Sequence, residues 1–314
     1  MENATAHPAV LIATTAAWQS NASDGAAAVF DAIVVSRAAL QRPPSVRLIP
    51  HGKGANISQL FFLAFVRFPL AQDHNSNVGG FIVGLLTVAF TACLELVSLP
   101  HVRRVLSQPG GRGLYATALF YNALNNLVLG PMIWLVAVGL MCRPPLPSAS
   151  ERAFSTIGLL LVHSLGYYAA HAAMHRPELF RFHALHHRFH THVTPFAANC
   201  VTVTEYLIAY MLPFVVGIFC FRPDRLALLR AVCTISVNNI LIHTPILSEP
   251  AEKYLPWVFV GTHDHLEHHS QLTTKYAAPT LCIDRLLEVG SAAMGVAKPH
   301  WPGPKPRAAK GKAE

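Results

Sequence analysis

HAAMHRPELFRFHALHH (171–187) decides how this chain is read, together with HLEHH (265–269) further along. Thirteen of the 18 histidines lie between His163 and His269, and their order is patterned: His171-x-x-x-His175, His183-x-x-His186-His187 and His265-x-x-His268-His269. At this histidine content a given H-x-x-H-H pattern is expected about 0.06 times by chance, so two copies are no accident of composition. Side chains three and four positions apart share one helix face. Each group is therefore expected to present two or three imidazoles in a single direction, as a metal-binding face. Asn239 and His243, four apart, offer a fourth face of the same kind, which brings the inventory to nine imidazoles and one amide.

A single zinc ion takes about four ligands and a pair of iron ions roughly eight to ten, so the inventory fits a dinuclear site. Soluble di-iron bundles use Glu-x-x-His pairs and zinc proteases use His-Glu-x-x-His. Neither occurs here. His163, Tyr167, His171 and His175 form a stripe at i, i+4 spacing that runs from an apolar segment towards the metals, which makes His163 and Tyr167 candidate pocket residues. His190, His192 and His263 are expected beside the metals rather than on them.

The surrounding sequence is that of a membrane protein. Hydrophobic residues make up 52% and charged residues 13%, with mean hydropathy +0.37, too apolar for an ordinary water-soluble surface. The net charge of +8 comes without any nucleic-acid-binding module, so it reads as basic loops meeting anionic lipid. Apolar runs of close to the ~20 residues that a bilayer demands lie at about 79–99, 114–141, 154–170, 203–221 and 226–247; residues 57–71 are a shorter candidate interrupted by Arg67. In the second run, Asn122 and Asn126 share a face and are expected to bond to a neighbouring helix.

Arg103, Arg104 and Arg112 sit between the first two firm spans, whereas 71–78 holds no Lys or Arg, so the arginine loop is expected to be cytosolic. Counting spans forward puts every histidine group on that same side. Residues 1–56 read as a flexible arm, 57–150 as N-terminal membrane helices, 151–290 as the catalytic domain and 291–314 as a disordered basic tail. The final KGKAE resembles a K-x-K-x-x retrieval signal of the endoplasmic reticulum. Six scattered cysteines form neither a disulfide framework nor a zinc ribbon and are expected to be small buried apolar residues. The expected architecture is an all-α integral membrane bundle carrying a cytosolic, histidine-lined di-metal helical cap.

With these residues in view, the stretch from about Tyr115 to Leu287 resembles the fatty acid hydroxylase and sterol desaturase superfamily. The likeness rests on HAAMH (171–175), the short gap to HALHH (183–187), the helical hairpin, IH (242–243), then HLEHHS (265–270) followed by Tyr276 and Asp284-Arg285. The gap is much shorter than in acyl-lipid desaturases, which carry similar boxes. By resemblance His171, His175, His183, His186, His187, His243, His265, His268 and His269 are iron ligands, with Asn239 at a position that is His in some members and Glu205 as a supporting carboxylate. THVTPFAANCVTVTEYL (191–207) and GTHDHLEHH (261–269) are similar to sterol-modifying members. Ser164, Ala172 and Thr202 depart from the family pattern, where an acidic residue, an Arg and a His are frequent.

The resemblance implies dioxygen-dependent hydroxylation or desaturation of a sterol or fatty acyl chain at two non-haem iron ions. Electrons would come from a partner such as cytochrome b5 and its reductase, because the chain has no dinucleotide fingerprint or haem attachment motif. Two rivals differ in class: a zinc-dependent membrane hydrolase with Glu267 as base, and a non-catalytic lipid or sterol sensor.

Overall fold

The computed structural model describes residues 78–144, 148–190 and 192–297. The arm expected at 1–56, the candidate span at 57–71 and the tail from 298 onward lie outside the described residues. Within them the chain is helical, with two isolated bridges and no strand. Five helices are long and apolar enough to cross a membrane: α1 (Gly79–Val97), α3 (Gly111–Met141), α4 (Ala149–Met174), α6 (Val203–Phe221) and α7 (Arg225–Ile242). Their outward faces carry Phe81, Leu140, Phe154 and Phe219 in the open, as hydrocarbon requires and water would penalise. Between and after them lie the shorter α2 (Leu99–Ser107), α5 (Phe180–His183), α8 (Ser248–Tyr254), α9 (Thr262–Gln271) and α10 (Ile283–Met294).

Local chemistry sets the helix ends. α4 opens on a capping box: the Ser148 hydroxyl accepts from the Glu151 amide at 3.1 Å, and the Glu151 carboxylate accepts from the Ser148 amide at 3.2 Å. Asp224 caps α7 by accepting from the Ala227 amide at 2.8 Å and also pairs with Arg152 at 2.8 Å. That pair ties the starts of α4 and α7 together at the end remote from the histidines. Small residues let the spans approach: a Cβ on Gly84 of α1 would fall 1.9 Å from the Asn126 carbonyl oxygen of α3, close packing of the kind that membrane helices use in place of the hydrophobic effect.

Several sequence boundaries move. The first run does not reach residue 99 as one helix: α1 ends at Val97 and α2 restarts beyond Ser98 with Pro100 in its first turn. The last run does not continue to 247, because α7 stops at Ile242 with His243 as its C-cap and Pro245–Leu247 forms a 3₁₀ turn. α10 continues to Met294, four residues into the stretch read as tail, and ends at Gly295 with φ +64°, the left-handed cap that glycine favours.

π-helical turns at Leu124–Leu129 and Tyr206–Met211 were not foreseen. Each is followed by a proline, Pro131 and Pro213, which has no N–H to continue the regular ladder. The first of these turns also shifts which asparagines face outward. Asn122 donates to the Phe196 carbonyl at 2.6 Å and Asn125 to the Asn199 and Val201 carbonyls at 3.1 Å, whereas Asn126 turns back to Asn122 of its own helix at 3.0 Å. The bonding pair is thus Asn122 and Asn125, and its partner is the 3₁₀ helix Pro195–Asn199 with the residues just after it rather than another membrane span. All six cysteines are free; Cys200, Cys233 and Cys282 are buried as expected, but Cys93 and Cys220 face outward from α1 and α6.

Candidate metal centre

Four pieces of backbone deliver the histidines. His171 sits in the last turn of α4 and His175 is its C-cap. His183 closes the short α5, and His186 and His187 follow in a 3₁₀ turn. His243 caps α7, and His265, His268 and His269 lie on α9. All belong to the same end of the bundle. The arginine-bearing α2 and the start of α3 pack there too, since Val105, Leu114 and Ala118 share a core cluster with Phe189, Phe196 and Cys200.

The nine imidazoles form two groups. His171, His175, His183, His187 and His268 make one, and His186, His243, His265 and His269 the other, with the nitrogens inside each group within 4.8 Å of one another. All nine rings are buried. The expectation that each box points one way is therefore corrected. Each H-x-x-H-H box straddles both groups, because adjacent residues such as His268 and His269 diverge around the helix axis, whereas His265 and His269, four apart, stay together.

The tautomers follow from the hydrogen bonds. His171 Nδ1 lies 2.8 Å from the Tyr276 carbonyl oxygen, His268 Nδ1 2.7 Å from that of Thr274, and His243 Nδ1 2.6 Å from that of Asn239. A carbonyl can only accept, so each Nδ1 carries the proton and each Nε2 is left with a lone pair. Yet His171 Nε2 faces His268 Nε2 at 3.1 Å and the Nε2 of His183, whose Nδ1 is bonded to Glu205, at 2.9 Å; in the second group His243 Nε2 lies 2.8 and 3.3 Å from the Nε2 atoms of His265 and His186, where one neutral ring can donate to the next. Burial also pushes the pKa of His243 and His268 down to about 4, so extra protons do not supply the missing attraction. Convergent lone pairs in a dry site fit a cation. Two nitrogens at right angles, each about 2.1 Å from a shared ion, stand about 3.0 Å apart, within the spread of these contacts.

Glu205 supplies a carboxyl group behind the first group. Its Oε1 lies 2.6 Å from His183 Nδ1, with both side chains fully buried, the carboxylate–histidine arrangement that orients metal ligands. Thr202 holds this carboxylate's helix turn, its hydroxyl accepting from the Glu205 amide at 3.2 Å and donating to the Phe182 carbonyl at 2.9 Å. Asn239 keeps its side-chain oxygen buried and, among the described residues, without a hydrogen bond. Its amide nitrogen donates to the Ala198 carbonyl at 3.1 Å and its backbone carbonyl receives His243, so the structure uses it to orient a ring.

The remaining candidates separate clearly. His163 is fully buried in α4, 4.6 Å ring to ring from Phe214 and stacked at 6.1 Å on Tyr167. Tyr167 in turn lies 5.2 Å from the His171 ring, and its hydroxyl reaches that of Tyr210 at 3.4 Å. His263 and His190 are exposed and His192 is half-buried; His263 faces Glu252 at 3.7 Å. Glu267 turns away from the rings to pair with Lys275 at 2.5 Å.

Next to the histidines, a cavity of about 100 Å³ opens among α1, α3, α6 and α7. Trp134, Phe214 and Leu228 line its deep part, and Asn199, Tyr210 and Asn239 the part nearest the rings. Asn239 touches both cavity and cluster, which makes the two spaces neighbours.

A search of curated proteins and a search of solved structures each returned no match. Residues 156–289 match the family model described as fatty acid hydroxylase, a stretch that contains all nine clustered histidines together with Glu205 and Asn239. Residues 156–289 of this multi-pass helical protein are thus a fatty acid hydroxylase domain, of the fatty acid hydroxylase and sterol desaturase superfamily.

Proposed function

We propose that the protein is a membrane oxidoreductase that hydroxylates or desaturates a sterol or fatty acyl lipid with dioxygen, at two iron ions held by the nine histidines. The observation that carries this reading is the pair of buried imidazole groups whose ring nitrogens converge beside an apolar cavity. His171, His175, His183, His187 and His268 would hold one ion, and His186, His243, His265 and His269 the other. Five ligands exceed the four of a structural zinc site, and an all-imidazole set suits iron. When bound, the iron pair supplies activation of dioxygen and removal of hydrogen from an unactivated carbon. Overall, the lipid C–H, one O2, two electrons and two protons give the alcohol and one water; desaturation gives a double bond and two waters.

The chain's own residues bind, orient and exclude water. Trp134, Phe214 and Leu228 provide an apolar wall for a lipid, and the cavity's position brings that lipid towards the rings. Glu205 and the carbonyls of Asn239, Thr274 and Tyr276 hold ring protons on Nδ1, so that Nε2 stays free. Burial of every imidazole keeps bulk water from the site. Electrons come from a partner such as cytochrome b5 and its reductase. The hydrolase alternative loses its base, since Glu267 is engaged with Lys275 at the surface.

The endoplasmic reticulum is the proposed location, with the histidine side and the C-terminus cytosolic. The test is growth of cells expressing the protein under ¹⁸O2, with mass spectrometry of total sterols and acyl chains. A labelled hydroxylipid or a new double bond, absent with His268→Ala, supports the reading. An unchanged lipid profile from metal-loaded protein with its reductase present refutes it.

A further inference from the structure

Outside the spans, large exposed apolar side chains gather on two short segments. The end of α8 and the turn after it expose Tyr254, Leu255 and Trp257, and α10 exposes Leu286, Val289 and Met294. Arg285 of α10 donates to the Trp257 carbonyl at 2.8 Å. Between the two segments the Val260 amide donates to the Thr280 carbonyl and the Cys282 amide to the Val258 carbonyl, both at 2.8 Å. They form one unit.

The depth of that unit is set by its contacts with Ser164. Thr280 Oγ1 lies 2.6 Å from Ser164 Oγ. Ser164 stands ten residues before the end of α4 at Met174, about 15 Å down the helix. Its neighbours Leu161 and Leu165 are exposed on the lipid-facing side of that span. The paired backbone at 258–260 and 280–282 therefore lies beside the apolar part of α4, and α10 starts immediately after it.

α10 is apolar on two sides. Ile283 and Leu287 face the protein core, while Leu286 and Val289, three apart, make an outward stripe flanked by Arg285 and Glu288. A helix in water keeps its outer face polar, and one lying in a membrane interface does not. Trp and Tyr at the rim suit the headgroup level. Lys253 beside Tyr254, and the sequence after α10 with Lys298, Lys305, Arg307, Lys310 and Lys312, match an anionic lipid surface.

We propose that α10 and the Tyr254–Trp257 turn are immersed in the leaflet on the histidine side, their occupant being the acyl chains of that leaflet, and that this seat steadies the metal cap. The mechanical link is short. Asp284 of α10 accepts from the Ala277 amide at 2.7 Å, next to Tyr276, whose carbonyl receives His171 Nδ1.

Nitroxide labels test this in liposomes of zwitterionic and anionic lipid, on the full chain with Cys93, Cys142 and Cys220 changed to Ser. Labels are placed by Val289→Cys and, as a second site, Leu286→Cys. Leu161→Cys serves as the bilayer reference and Ser270→Cys as the aqueous one. Collision with apolar oxygen that exceeds collision with a water-soluble nickel chelate, as at 161, is the expected result. A nickel response at 286 and 289 like that at 270 overturns the proposal, and so does protection from both reagents, which would mean that protein covers the stripe.

Discussion

Replacing Glu205 with Gln isolates the contribution of the one carboxylate that, among the described residues, touches the histidine groups. The 2.6 Å contact to His183 Nδ1 joins two fully buried side chains, so solvent screening is minimal. A charge-assisted bond in such a place contributes about 1.5–3 kcal/mol and a neutral one about 1 kcal/mol. The difference, about 0.5–2 kcal/mol, corresponds to about a 2- to 30-fold loss of affinity at the five-histidine group, overlapping the 10- to 100-fold seen for outer-shell partners of metal ligands. Gln keeps the shape and an acceptor oxygen, so the metal-free fold is expected to survive with unchanged helicity. The assay is iron retention against a graded chelator, read per site by comparison with His265→Ala, which cripples only the four-histidine group. Retention equal to wild type within twofold would refute the claim that Glu205 makes His183 a stronger donor.

Four further outcomes follow from the geometry. His268→Ala and His265→Ala strike different groups, so each is expected to lower iron from about two per chain to about one, whereas loss of both ions from either variant by elemental analysis would contradict two separable groups. In the metal-free protein, the folded pKa values of about 4 for His243 and His268 lie below the unfolded value near 6.5. Protons then favour the unfolded chain: this stability is intact above pH ~6.5 and is lost towards pH 4 at about 1.4 kcal/mol per unit per residue, visible as a falling Tm in detergent, with a flat Tm over that range as the adverse result. Gly84→Ala puts a Cβ against the Asn126 carbonyl and is expected to cost about 1–3 kcal/mol by overpacking; an unchanged Tm would show that α1 and α3 are not seated this closely. Asn239→Leu keeps the backbone carbonyl that receives His243 but loses both the donor to Ala198 and the amide oxygen, so metal content should hold while Tm falls; loss of one metal with an unchanged Tm would instead make the Asn239 side chain a ligand.

Much of this was legible in the sequence because membrane spans and histidine spacing are local signals. Apolar runs of bilayer length marked the five spans, and the boxes, with the Asn239–His243 pair, marked every histidine that the fold brings together. Their partition was not legible. His268 and His269 are neighbours in sequence yet serve different groups, and only the meeting of α4, α7, α9 and the 183–187 segment decides which. The π turns depend on how prolines and asparagines find partners across the fold, and these displaced the expected role of Asn126 onto Asn125. Glu205 drew notice through family likeness alone, since nothing local links it to His183. Asn239 drew notice by its i, i+4 relation to His243, and that same relation places its backbone carbonyl on the His243 ring.

The central claim is that nine neutral imidazoles enclose a pair of iron ions, and metal analysis of the purified chain tests it most directly. Elemental counting with Mössbauer spectroscopy of ⁵⁷Fe-grown protein should give about two iron atoms per chain, both in nitrogen-rich surroundings. One zinc per chain, or a single iron, would contradict it.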